Sequence, residues 1–259
     1  MAVGSILIKL GGGLLTDKTR LCTVDDEAIL RCAEAIRSIH DSGVEVTLVH
    51  GAGGFGHLRA REHRLAEGRI EGLDGQEDAI KRVREEMLQL NGILCAALIG
   101  NGVPVQSIPA HTWARGTGMD FHGQMEMAEG LVSVTFGDVV TVEGEMEFGI
   151  LSGDYIMTRL ARQLDPDLAV FLLDGVDGLL SAPPGDPSAV LLQEWSRGEG
   201  FTGHHHSEMD VTGGIGLKTD CAATIAATGI DTWFLDGHRL DRLLELVDSG
   251  VSIGTRILA

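Results

Sequence analysis

Val44-Glu45-Val46-Thr47-Leu48-Val49-His50 runs without a break into Gly51-Ala52-Gly53-Gly54-Phe55-Gly56-His57. The first stretch is mostly β-branched and aliphatic, the composition of a strand buried on both faces. The second is dominated by glycine, which permits a sharp turn and close backbone approach. A buried strand ending in such a turn, with a helical pattern to follow, is the repeating unit of an open α/β sheet. The unit recurs on both sides. Upstream, Ser5-Ile6-Leu7-Ile8-Lys9-Leu10 ends in Gly11-Gly12-Gly13. Downstream, residues 168–173 end in Asp174-Gly175-Val176-Asp177-Gly178.

Helical patterns fill the intervals. Residues 25–41 place Ile29, Ala33, Ile36 and Ile39 at helical spacing behind an acidic first turn, and residues 77–99 place Ile80, Val83, Met87, Leu90 and Leu94 on one side. Helices are also predicted over 152–164, 214–228 and 238–249. Further strands are predicted over 103–108, 131–136, 232–235 and 252–258, and residues 141–147 read as a hairpin turning at Glu143-Gly144. This alternation predicts an α/β fold, a three-layer αβα sandwich with a mostly parallel open central sheet. The 259 residues are expected to form one such domain, 1–259, with its main loops over 181–187 and 197–207.

Composition narrows the function. A net charge of -18 opposes nucleic acid as a partner, because binding DNA or RNA needs a basic surface. No stretch is long and apolar enough to predict a membrane span. Residues 1–10 pass straight into a strand with no basic region ahead of an apolar core, so no signal peptide is expected. The four cysteines, Cys22, Cys32, Cys95 and Cys221, lack metal or redox spacing and read as small hydrophobes in a reducing, cytoplasmic compartment.

The chain has only four lysines, Lys9, Lys18, Lys81 and Lys218, and three of them sit beside short turns. Glycine turns expose backbone N–H groups and a lysine adds a compact mobile charge, a combination suited to phosphate. Lys9, Gly11 and Gly12 fall at the C-terminal edge of the predicted sheet, where open α/β folds bind ligands, although the spacing is neither a Walker A nor a dinucleotide fingerprint. Gly53 and Gly54 would let the backbone wrap an anion, with the His57 imidazole about one helical turn in and able to donate to a phosphate oxygen. His50 reads as a core or turn histidine and Phe55 as packing. Asp154, after Ser152-Gly153, is either a helix N-cap or a group that holds Mg²⁺ or orients the lysines. Asp174 and Asp177 suit a nucleotide edge. In Asp210-Val211-Thr212-Gly213-Gly214-Ile215-Gly216-Leu217-Lys218 a lysine stands in a helix's first turn, where acids are preferred. The mismatch makes sense if an anion occupies the site. His204-His205-His206 is metal-like in composition only, since adjacent histidines cannot all face one ion, and no residue is assigned as a metal ligand. The pattern as a whole reads as a small-molecule kinase.

Taken in order, these segments resemble the amino acid kinase family, and within it the isopentenyl phosphate kinases, from Lys9 to Gly254-Thr255-Arg256-Ile257. Gly53-Gly54-Phe55-Gly56-His57 is similar to the family's Gly-Ser-Phe-Gly-His loop, and Ser152-Gly153-Asp154, Val176-Asp177-Gly178 and Asp210-Val211-Thr212-Gly213-Gly214 match its pattern. The resemblance implies ATP- and Mg²⁺-dependent phosphorylation of isopentenyl phosphate by a cytoplasmic homodimer. It implies an acceptor-binding half over about 1–150 and a nucleotide-binding half over about 151–259. By the same resemblance Lys9 and Lys18 hold the transferring phosphoryl group, Lys218 clamps ATP phosphates and Asp154 orients the lysines or the metal. His57 with Gly153 serves the acceptor phosphate, and Gly11, Gly12, Gly53 and Gly54 supply amide donors. Gly214 belongs to the nucleotide site with Asp174 and Asp177. The acceptor's apolar tail would lie against Met87, Leu88, Leu90 and Ile93, unless these are core. A related kinase acting on another small phosphate or phosphonate, such as fosfomycin, and a non-catalytic nucleotide sensor are the alternatives. The chain departs from the family at Gly13, Ala52, Gly54, Tyr155 and Asp174-Gly175.

Overall fold

The computed structural model describes residues 3–17, 20–198 and 214–259. Lys18, Asp210 to Gly213 and His204 to His206 lie outside them. An eight-stranded sheet runs in the order β3 (Val105–Ser107), β4 (Val132–Phe136), β2 (Glu45–His50), β1 (Ser5–Leu10), β7 (Leu168–Leu173), β9 (Asp231–Asp236), β10 (Thr255–Leu258) and β8 (Glu194–Ser196). All neighbouring strands are parallel except β9 and β10.

Helices α2 (Asp26–Asp41), α4 (Gln76–Gly100) and α8 (Leu240–Ser249) cover one face. Helices α6 (Gly153–Leu164) and α7 (Gly214–Ala226) cover the other, together with the four-residue α5 (Ala110–Trp113). The three-layer prediction therefore holds, because the apolar strands are covered on both faces. Residues alternate across β1: Ile6, Ile8 and Leu10 enter one core and Leu7 the other. Lys9 follows Leu7 on the α6 side.

The strand order places the ligand site. From β1 the chain proceeds to β2 on one side and later returns to β7 on the other. A cleft opens above the carboxyl ends of the strands where this order reverses. Two glycine loops meet there, one opening α1 (Gly12–Leu15) and the other α3 (His57–Glu62). A β-carbon on Gly12 would fall 2.2 Å from the Gly53 nitrogen. One on Gly53, whose φ is +54°, would fall 1.9 Å from Thr16 Oγ1. These loops stack backbone on backbone, and glycine is required there by packing.

Several boundaries differ from the sequence reading. The hairpin strands are β5 (Asp138–Thr141) and β6 (Phe148–Leu151), so that most of residues 141–147 forms the connection, with a 3₁₀ turn in it. The β5–β6 ribbon walls the cleft instead of joining the main sheet. Helix α7 stops at Ala226, and β10 starts at Thr255. Helix α3 stands where a helix is expected after the second glycine turn, whereas α1 and α5 are too short to show periodicity.

Candidate active site

Lys9 ends the α6 side of β1 and is only 4% exposed. Directly across from it, Asp154 stands in the first turn of α6 and is 1% exposed. The local sequence explains the pose. Ser152 is the N-cap, its Oγ accepting from the Asp154 N–H at 3.2 Å, so of the two readings of Asp154 the cap does not hold and its carboxylate meets the lysines. Gly153 comes next, and a β-carbon there would lie 3.4 Å from Lys9 Cε, so its smallness leaves room for the lysine stem.

The Asp154 carboxylate bridges two lysines. Lys9 Nζ donates to Oδ1, and Lys218 Nζ, from the first turns of α7, lies 3.4 Å from Oδ2. Burial, helped by the nearby Lys218 charge, lowers the Lys9 ammonium to about 8 against the attraction of Asp154. Burial alone would raise the Asp154 carboxyl. Lys218 and Lys9 outweigh it and hold the group below its ordinary value. The arrangement is two lysines around one carboxylate. The sequence reading paired Lys9 with Lys18 and set Lys218 apart, whereas the structure joins Lys9 to Lys218 through one carboxylate.

The cleft has a volume of about 270 Å³. One end is lined by Lys9, Gly11 to Gly13, Asp154, Asp174, Val176, Gly214, Ile215 and Lys218. Asp174 Oδ1 is 3.0 Å from His238 Nε2. Asp177 does not line the cleft and accepts from Arg242 Nη1 at 2.6 Å, a contact that ties it to α8. Two expected amide donors are engaged within the fold: the Gly11 N–H donates to the Leu172 carbonyl at 3.2 Å, and the Gly54 N–H to Thr16 Oγ1 at 2.8 Å. Gly12 and Gly53 remain on the cleft surface.

The lining also holds His57 and Gly53 with an apolar wall of Leu58, Ala60, Val83, Met87 and Ile150, while Gly153 lies beside Lys9. His57 is the first residue of α3, not a full turn in, and follows Gly56 at φ +74°. Of the four apolar candidates, Met87 alone lines the cleft: Leu90 is fully buried, Ile93 packs on another core and Leu88 is exposed. Phe55 is fully buried as packing. His50 is also buried. Its ring stacks on Phe136 and meets the Gly51 carbonyl and Asn91 Oδ1, and burial lowers it to about 4, so it is a neutral core histidine.

Ala52 keeps a negative φ, so its methyl is tolerated in the loop. Tyr155 packs against the α6–α7 core, away from the cleft lining. Asp138 was missed. It lines the cleft at 2% exposure, its Oδ2 lying 2.5 Å from His111 Nδ1. It follows Gly137 at a strand end, the same Gly-Asp signature that marked Asp154. Among the described residues no group of three or more His, Cys, Asp or Glu could hold a metal ion, and no helix is long and apolar enough to cross a membrane.

Comparison with known proteins gives a consistent picture. The amino acid kinase family model matches residues 5–236. Isopentenyl phosphate kinase of Thermoplasma acidophilum is 34% identical over 93% of this chain and 95% of its own length. The enzyme of the same name from Methanothermobacter thermautotrophicus is 29% identical over 88% of this chain and 89% of its own. An isopentenyl phosphate kinase crystal structure superposes with a TM-score of 0.83 at 25% identity, covering 98% of this chain and 99% of that one. The substrate complex of an isopentenyl phosphate kinase superposes at 0.78 and 28% identity, over 97% and 99% of the two chains.

Proposed function

The chain belongs to the amino acid kinase family, and from that premise we propose that it transfers the γ-phosphoryl group of ATP to isopentenyl phosphate, giving isopentenyl diphosphate and ADP. The observation that carries this reading is the division of one cleft. A lysine–aspartate–lysine bridge occupies one end, and an imidazole beside an apolar wall occupies the other. Charge of that kind suits the transferring phosphoryl group, and the wall suits a short hydrocarbon tail.

In this reading an oxygen of the acceptor phosphate attacks the γ-phosphorus in line as the bond to the β–γ bridging oxygen breaks, and ADP leaves with that bond's electrons. The acceptor oxygen is already ionised, so no general base is needed, and positioning with charge neutralisation supplies the catalysis. Lys9 and Lys218 meet the phosphoryl oxygens as charge shifts towards ADP. Asp154 keeps both ammonium groups aimed at one point. His57 donates to the acceptor phosphate, and Val83, Met87 and Ile150 exclude water from the tail.

Mg²⁺ is typically bound by substrate phosphates with one or two carboxylates. Asp174, a cleft carboxylate 3.0 Å from His238 Nε2, would help hold it. When bound, the ion would neutralise phosphate charge. Lys18 would join the charged end. The homodimer, the cytoplasmic location and the division into acceptor and nucleotide halves rest on family resemblance.

The test is ADP release with isopentenyl phosphate, dimethylallyl phosphate and fosfomycin side by side. Turnover with the first two and little with the third is expected. Turnover with fosfomycin alone would move the assignment to a phosphonate kinase.

A further inference from the structure

His57 opens a six-residue helix behind a glycine in the left-handed region, its N–H donating to the Phe55 carbonyl at 2.9 Å. The loop is also tied to α4. Glu86 Oε2 accepts the Gly56 N–H at 3.0 Å. Glu86 Oε1 accepts from Arg59 Nε at 2.8 Å and lies 2.7 Å from Arg59 Nη2. Both partners flank His57, one just before it and one two residues after. The Glu86 side chain is 11% exposed and that of Arg59 25%, so these charge-assisted bonds are partly buried. Val83 and Met87, three residues before and one after, lie on the same side of α4 and line the cleft. A β-carbon on Gly56 would fall 3.2 Å from Val83 Cγ1 and 3.5 Å from Met87 Sδ, so the loop sits directly on that surface.

We propose that Glu86 is a positioning residue for acceptor recognition, clamping the Gly56 backbone and the Arg59 side chain so that the His57 imidazole is held over the α4 wall that receives the acceptor's tail. Phosphate grip and tail wall are thereby fixed in one rigid relation. The inference rests on the assignment of His57 to the acceptor.

The experiment compares Glu86→Ala and Glu86→Gln by steady-state kinetics and by the His57 ring resonances of the ligand-free protein. Loss of the clamp in Glu86→Ala is expected to raise the KM for isopentenyl phosphate about tenfold, with the KM for ATP within about twofold. Its His57 resonances shift and broaden. Glu86→Gln keeps an acceptor for the Gly56 N–H and recovers most of the affinity. Equal rises in both KM values, or unmoved His57 resonances, overturn the proposal. If Glu86→Ala does not fold, the same criteria apply to Glu86→Gln, whose smaller shift must still fall on the acceptor alone. If the unaltered enzyme does not turn over isopentenyl phosphate, the function is wrong, and the His57 resonances still decide the clamp.

Discussion

The two ends of the cleft are built by different means. At the charged end, side chains hold side chains: Asp154 faces Lys9 from 145 positions away and Lys218 from 64. At the acceptor end, His57 sits on a short helix whose backbone is tied by Glu86 and backed by Val83 and Met87. The first arrangement stabilises charge as it moves, and the second fixes where a molecule lies. Substitutions at the two ends should therefore damage different kinetic constants.

The largest effect belongs to Asp154. Its replacement by Ala leaves two ammonium groups facing each other without a counter-charge. A fall in kcat of about 1,000-fold is expected in the ADP-release assay. Denaturant titration should show a loss of about 3–5 kcal/mol, the usual consequence of stranding a buried charge. Retained kcat would show that the bridge is structural only. Next comes Lys218→Ala, expected to lower kcat by about 100-fold while sparing the acceptor KM. A rise in the ATP KM alone would return Lys218 to a simple clamp and break its partnership with Lys9.

His57→Ala probes the opposite end. The acceptor KM should rise by about 10- to 100-fold, the value of a hydrogen bond to a charged group, with ATP binding unchanged. Equal loss of both would erase the distinction between the two ends.

The smallest effect at neutral pH is the titration of Lys9. Its folded value of about 8 lies below the unfolded 10.5, so between these limits the unfolded chain binds more protons. Protonating the buried amine therefore destabilises the fold at neutral pH, and that penalty is relieved as pH rises through this window. Activity runs the other way, because the charge needed for transfer disappears above about 8. The pH profile of kcat/KM should show an alkaline limb there. Lys9→Arg, which stays charged, should lack that limb at a lower overall rate. An unchanged limb would assign it to another group.

How far the sequence spoke follows the same division. The strands were legible because apolar runs such as residues 168–173 ended in glycine turns, and Lys9, Asp154 and Lys218 could be read because charge beside such turns is unusual. Their common meeting point could not be read, since Asp154 and Lys218 join through the packing of α6 against α7. The glycines were legible as a loop but not in their cause. Gly12 and Gly53 make room for each other, and the Gly54 amide is taken by Thr16. Glu86 gave no local signal: it is one of two adjacent acids on an ordinary helix, and only the tertiary contact with Gly56 distinguishes it.

Phosphorus NMR of the running reaction tests the central claim most directly, because it follows the transferred atom. With ATP and isopentenyl phosphate present, the acceptor's monophosphate resonance should be replaced by the paired resonances of a diphosphate, in step with loss of the ATP γ-phosphorus. Loss of the γ-phosphorus to inorganic phosphate, with the acceptor resonance unchanged, would contradict phosphoryl transfer across this cleft.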